Sequence, residues 1–198
     1  DFIPVYEKSG LISRLDRYIW EQAAAKLGEW KKAGINMSIS VNISPKDFYY
    51  IDIFNTFAGL IKKYDIEPSN LKIEITETTI MSDVPNLMGE LEELRKAGFT
   101  LEMDDFGSGY SSLNTLKDIN VDVLKVDMGF IKETKNVKKS RIILASVIKM
   151  AKELNLLIIT EGVETEEQVD NLTKLGCDVF QGYYFSKAID VNEFEKRY

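Results

Sequence analysis

The sequence predicts an α/β fold: a (β/α)8 TIM-like barrel, N-terminally truncated by about one strand. Three observations carry that expectation. A short apolar strand, a polar turn and an amphipathic helix alternate along the chain, which argues a parallel sheet with helical crossovers. The strands carry polar residues on one face, gathered at their C-terminal ends, where such barrels build their sites. No linker, charge block or low-complexity stretch interrupts the 198 residues, so residues 1–198 read as one domain.

Each element has a local reason. Leu11 to Ala33 reads as a long helix stopped by Gly34. Ile35 to Ile43 alternates strictly and reads as a strand. A helix over Phe54 to Tyr64 is followed by a strand over Leu71 to Ile75. A helix over Pro85 to Ala97 stops at Gly98, and Phe99 to Met103 is the next strand. Ser111 to Asp118 reads as a short helix and Val123 to Val126 as a strand. The helix Ser140 to Leu154 precedes the strand Leu157 to Thr160, and the helix Glu166 to Leu175 ends at Gly176. A short strand at Val179 and Phe180, another near Phe185, and a helix from Val191 to Tyr198 close the chain. That makes about seven strands, roughly one unit short of a closed barrel of about 250 residues. The alternative, an open doubly wound sheet, calls for a Gly-rich phosphate loop after its first strand, and none is present.

Composition excludes several chemistries. With no histidine, His-ligated metals, Ser-His-Asp triads and Cys-His dyads are ruled out. The single cysteine, Cys177, allows neither an internal disulfide nor a Cys-rich zinc site. No apolar run approaches the roughly 18 residues of a membrane span. The net charge of −7 disfavours binding to a DNA or RNA polymer, which wants clustered Lys and Arg. The opening Asp-Phe-Ile-Pro is no signal peptide and lacks a start Met, so a piece of a longer protein is expected.

The polar strand faces define the candidate site. Asn42, Glu74, Asp104, Asp105, Asp127 and Glu161 gather there with one cation, Lys125. So many carboxylates repel one another unless a cation intervenes. All-oxygen donors suit Mg²⁺, Mn²⁺ or Ca²⁺. Adjacent Asp104 and Asp105 can serve two ions, and a metal pair is a known device for phosphodiester hydrolysis. Lys125 would then either take the proton of the attacking water or stabilise the phosphoryl oxygens. The run from Asp104 through Phe106, Gly107 and Gly109 to Ser112 is a strand end entering a Gly-rich loop. Its glycines allow positive φ and close backbone approach. Glu77, three residues after Glu74, is placed to anchor that loop through backbone N–H groups. Glu102 is an extra acid on the inward face, for which Lys72 and Lys125 are the available partners. Trp20 and Trp30 read as core of the first helix, Cys177 as a small buried hydrophobe. Tyr49, Tyr50 and Phe54 are candidates for base stacking or for packing. Lys132 to Lys139 reads as a solvated basic helix entry.

At these residues the chain resembles the EAL domain family, the cyclic-di-GMP phosphodiesterases of bacterial signalling. The matching segments are Phe2-Ile3-Pro4, Val41-Asn42-Ile43-Ser44, Ile73-Glu74-Ile75-Thr76-Glu77, Asp104 to Leu113, Leu124-Lys125-Val126-Asp127, Glu161 to Thr165, and Gln181-Gly182-Tyr183. The resemblance implies a (β/α)8 barrel with one reversed strand and Mg²⁺- or Mn²⁺-dependent hydrolysis of cyclic di-GMP to linear pGpG. By motif, Asn42, Glu74 and Asp104 look like ligands of one metal, and Asp104, Asp105 and Glu161 like those of a second. Lys125 looks like the residue assisting the water, with Asp127, Glu164 and Gln181 as site residues around it. Gln181 also looks substrate-binding, and Glu77 looks like the loop anchor. The resemblance further implies a cytoplasmic domain without membrane contact, a homodimer contact involving the Asp105 to Asp118 loop, and fusion to sensory or GGDEF-type domains.

The departures are specific. The family's Glu-Ala-Leu strand would lie before Asp1, which matches the missing unit and leaves the fragment's own activity in question. Ser108, Thr160 and Ala188 replace a usual Thr, Ala and Pro. An inactive cyclic-di-GMP receptor or partner-docking module is the alternative reading. A different metal hydrolase on the same barrel survives only if the motif match is coincidental.

Overall fold

The structure, a computed structural model, describes residues 3–82, 84, 86–107, 112–127 and 137–197. Its elements run α1 (Ile3–Ser9), α2 (Ile12–Lys32), β1 (Ile39–Asn42), α3 (Asp47–Tyr50) and α4 (Ile53–Tyr64). After a 3₁₀ turn at Pro68–Asn70 come β2 (Leu71–Thr76), α5 (Glu77–Ile80), α6 (Leu87–Lys96), β3 (Leu101–Phe106) and α7 (Ser112–Asp118). Then follow β4 (Val123–Asp127), α8 (Val137–Glu153), β5 (Leu157–Glu161), α9 (Glu166–Leu175), β6 (Val179–Phe180) and α10 (Val191–Arg197). Contacts divide the chain into two compact units. The first holds α1 to α6, β1, β2, the body of β3, and α7; the second holds the end of β3, β4 from Leu124 onward, and all that follows.

One device recurs where a helix hands over to a strand. The chain enters the left-handed region at Gly34, Asp65, Gly98, Asn155 and Gly176. The next residue, Ile35, Ile66, Phe99, Leu156 or Cys177, donates its N–H to the carbonyl five residues back, at 2.8 to 3.2 Å. This is the Schellman arrangement, which satisfies an orphan helix carbonyl. It explains why two strands begin later than their alternation predicts. Ile35 and Phe99 are tied to helix ends, so pairing starts at Ile39 and Leu101.

In the first unit, β1, β2 and β3 pair in parallel, with Asn42 opposite Glu74 and Thr76 opposite Asp104. Leu71, Ile73 and Ile75 are fully buried between the polar positions of β2. Helix α2 lies against β1, β2 and α4. Trp20 is wholly buried, its ring centroid 4.9 Å from that of Phe57, which meets Phe99 edge-on at 5.7 Å. The Trp20 indole N–H donates to the Asn42 carbonyl at 2.9 Å. Gly28 lets α2 approach the end of α4: a Cβ there would stand 2.9 Å from the Tyr64 carbonyl oxygen. Trp30 is also core, whereas Tyr49 and Tyr50 are exposed and Phe54 is half-buried.

Glu102 is buried on β3 and is held by Lys72 at 3.2 Å and by the Ser40 hydroxyl at 3.0 Å. Of its two available lysines, then, the structure selects Lys72. A buried carboxylate has to be paired in this way, because its desolvation is otherwise unrecovered.

In the second unit the strand order is β4-β5-β6, with β5 and β6 parallel and Thr160 opposite Phe180. Leu144, Ile148 and Ala151 of α8 are buried together with Ile158 and Leu172. Thr160 is buried, and its hydroxyl donates to the Cys177 thiol at 3.2 Å, so the departure from the usual Ala is satisfied internally. Burial pushes the Cys177 thiol pKa up, as expected of an inert core cysteine. A capping box at Thr165 and Gln168 starts α9.

Among the described residues there are six strands. The strand expected near Phe185 is a turn instead, because its N–H donates to the Gly182 carbonyl at 3.1 Å. Pro85, Ser111 and the Lys132 to Asn136 part of the basic stretch lie outside the described residues, while Lys138 and Lys139 are exposed on α8. No helix among the described residues is long and apolar enough to cross a membrane.

Two substitutions test this core. Trp20→Ala should cost about 3–5 kcal/mol in urea unfolding, the range for emptying a large aromatic site. Glu102→Ala should cost about 3 kcal/mol by leaving Lys72 without its counter-charge. A Lys72→Met/Glu102→Leu pair should recover most of that loss, and a double-mutant cycle measures it.

Candidate functional site

Three oxygen-bearing side chains lie in the C-terminal halves of the strands of the first unit. Asn42 is the last residue of β1 and is exposed; Glu74 and Asp104, on β2 and β3, are half-buried. Parallel pairing sets Asn42 and Glu74 side by side, and the Ile43 N–H donates to the Glu74 carbonyl at 3.0 Å. The carbonyl of Asn42 is fixed from behind by Trp20. Glu77 opens α5 directly after β2 and is completely buried. Most of the loop it was expected to anchor, residues 108–111, lies outside the described residues.

The second unit carries the charged pocket. Lys125, 3% exposed, sits on β4 with its amino group 2.8 Å from a Glu161 carboxylate oxygen on β5. Glu161 also lines an open pocket of about 330 Å³, together with Asp127, Gly162, Glu164, Gln181, Gly182 and Tyr183. Four expected site residues therefore share one cavity, and a fifth, Lys125, is paired with one of them, Glu161. The loop after β5 is clamped to the segment after β6. The Val163 N–H donates to the Gln181 carbonyl at 3.1 Å and the Tyr184 N–H to the Val163 carbonyl at 3.0 Å. Gly182 makes this possible, since a Cβ there would stand 2.1 Å from the Val163 carbonyl oxygen. The Gln168 side chain also caps the Glu164 N–H at 2.7 Å.

Asp105 is exposed and held at φ +55°, followed by Gly107 at +97°. A left-handed aspartate is uncommon, and such conformations cluster at functional sites. Tyr183 was not expected as a pocket residue. The available signal was its position in the Gln181-Gly182-Tyr183 motif, two residues from a candidate ligand.

The donors fit a hard divalent cation. Asn42, Glu74 and Asp104 supply an amide and two carboxylates, all oxygen, with no nitrogen or sulfur among them. Among the described residues no group of three acids is gathered tightly enough to hold an ion by itself. A site with few protein ligands, completed by water and phosphate oxygens, is what Mg²⁺ ordinarily uses.

Comparisons with known proteins follow the same segments. MucR of Pseudomonas aeruginosa, a bifunctional diguanylate cyclase/cyclic di-GMP phosphodiesterase, is 34% identical over 97% of this chain and 28% of its own length. PdeR of Escherichia coli, a cyclic di-GMP phosphodiesterase, is 30% identical over 100% of this chain and 30% of its own length. The chain thus spans less than a third of these curated relatives. A solved structure of the MucR phosphodiesterase with c-di-GMP superposes with a TM-score of 0.89 at 34% identity, covering 98% of this chain and 78% of that one. The α/β fold is therefore that of such domains. The EAL domain description matches residues 1–188, and the chain belongs to the EAL domain family.

Proposed function

We propose that this chain is the catalytic domain of a metal-dependent phosphodiesterase that hydrolyses cyclic di-GMP to linear pGpG. The observation that carries the reading is the ion pair of buried Lys125 with Glu161, which lines a pocket together with Asp127, Glu164 and Gln181. Burying a lysine beside a pocket carboxylate is costly and is characteristic of sites that do chemistry. The activities named for MucR and PdeR support the same reading.

Asn42, Glu74 and Asp104 would hold one Mg²⁺ or Mn²⁺, and Asp104, Asp105 and Glu161 a second. Bound there, such ions lower the pKa of a water and neutralise charge developing on phosphate. Lys125, oriented by Glu161, brings an amino group that takes a proton from the nucleophile or donates to phosphoryl oxygens. Its burial restricts it to one geometry, so it loses little orientation entropy during reaction. Asp127, two residues along β4, and Glu164 present acceptors on the pocket wall. The Gln181 amide donates to a phosphate or base edge, and the Tyr183 ring gives the pocket an apolar face.

The reading also takes the 198 residues as one domain in the cytoplasm, with a homodimer contact, in a parent protein carrying sensory or GGDEF-type domains. The low coverage of the relatives supports the last point.

Cyclic-di-GMP hydrolysis with Mg²⁺ or Mn²⁺, measured on the parent protein and on this chain, tests the reading. Turnover by the parent protein is expected. Asp105→Asn and Lys125→Met should each lower kcat by about 100-fold or more, the scale of a lost acid–base or charge-stabilising group. Asparagine tolerates the left-handed conformation of Asp105, so the far-UV circular dichroism of that variant should match the parent. Unchanged turnover in Asp105→Asn would overturn the two-metal assignment. Binding without turnover would establish the receptor reading in its place.

A further inference from the structure

We infer that Asp16 and Asp47 share a single proton and act as positioning residues, latching the turn that follows β1 onto α2. The bearing on the site, through Asn42, rests on the function proposed above.

Asp47 is completely buried at the start of α3. One of its oxygens accepts the Ser44 N–H at 2.7 Å, and its own N–H donates to the Ser44 carbonyl at 3.1 Å. The other oxygen, Oδ1, is buried and receives no hydrogen bond from an N–H or hydroxyl donor. A second acid reaches the same carboxylate: Asp16, half-buried on α2, lies within hydrogen-bonding reach of Asp47. Two carboxylates that share a half-buried site strongly disfavour double ionisation, and a buried oxygen without a donor is costly. One proton between them removes both penalties. A metal ion is the competing solution, but no group of three acids converges among the described residues. The charged groups acting on Asp16 are Asp47 of α3 and Glu7 of α1, both acidic.

The electrostatics agree. The Asp16 pKa is pushed up to about 7, first by burial, then by the charge and hydrogen bond of Asp47 and by Glu7, with the Ser44 side chain acting the other way. The proton belongs to the pair rather than to either residue. Folded, the pair keeps it to about pH 7; unfolded, Asp16 loses it near 3.8. Its contribution to stability is thus complete below pH 4 and is lost as pH rises through about 7.

Placement makes the pair a positioning device. Asp16 and Trp20 lie one turn apart on the same face of α2. Trp20 holds the Asn42 carbonyl, and Asp16 holds the turn that starts two residues later. The strand end and its exit are thereby pinned to one helix at two points.

The test compares the full chain with Asp16→Asn, whose amide donates to Asp47 at every pH. Between pH 5 and 8 the Tm of the parent should fall more than that of Asp16→Asn, and above pH 7.5 the variant should be the more stable. The parent should show an infrared carbonyl band of a protonated carboxyl that fades through about pH 7 and is absent from both Asp16→Asn and Asp47→Asn. The Trp20 indole proton resonance should titrate with the same midpoint in the parent and stay fixed in Asp16→Asn. Parallel Tm profiles, or no such band, would overturn the shared proton. A Trp20 resonance indifferent to pH would overturn the positioning role. None of these readouts uses substrate or metal, so failure of the phosphodiesterase reading leaves them intact and shows separately, as absent turnover.

Discussion

The architecture depends on a hydrogen bond repeated at five helix-to-strand junctions. Each time, a left-handed residue reverses the chain and the following amide returns to the helix, so the start of the next strand is set by the end of the helix. Strand residues rise about 3.3 Å each, so a start displaced by one residue would move every side chain along the strand and to its other face. Asn42, Glu74, Asp104 and Glu161 lie in the C-terminal halves of β1, β2, β3 and β5 because these junctions count residues from the opposite end.

Parallel strands with helices on one face leave the other face to the polar side chains, and each solution to that problem is local. Glu102 is paired with Lys72 and Ser40 below the strand ends. Lys125 is paired with Glu161 at the pocket. The first pair holds a carboxylate that is buried within β3 and is a packing solution. The second lies at a cavity wall, where a charged pair is open to a ligand. The same chemistry, an ammonium with a carboxylate, is enclosed in the strand layer in one place and borders an open pocket in the other.

Much of this was legible in the sequence. The glycine stops at Gly34, Gly98 and Gly176 are all left-handed in the structure, because the residue type that ends a helix is chosen by backbone sterics and acts locally. The polar faces of β2 and β3 follow from a period of two. What sequence alone left open depends on distance along the chain. Glu102 had two lysines within reach by pattern, and only packing distinguished them. The late starts of β1 and β3 come from the Schellman bonds, which extend the helix signal past its glycine into apolar residues that read as strand. Asp16 and Asp47 are brought together by the contact of α2 with α3, which neither residue's local pattern announces. The short helices α1 and α3 carry too few residues for any periodicity to show.

Gly28 gives α2 a further property. Its missing side chain seats the helix against the Tyr64 carbonyl, so α2 is fixed at one point along its axis, like a key held at its shoulder. Asp16 and Trp20 lie two to three turns away and are oriented by the number of residues between. One residue inserted between Trp20 and Gly28 would swing both by about 100° around the helix, away from Asp47 and from the Asn42 carbonyl. The segment from Trp20 to Gly28 is therefore constrained in length as well as in the identity of its buried members, Trp20, Ala23, Ala24, Leu27 and Gly28.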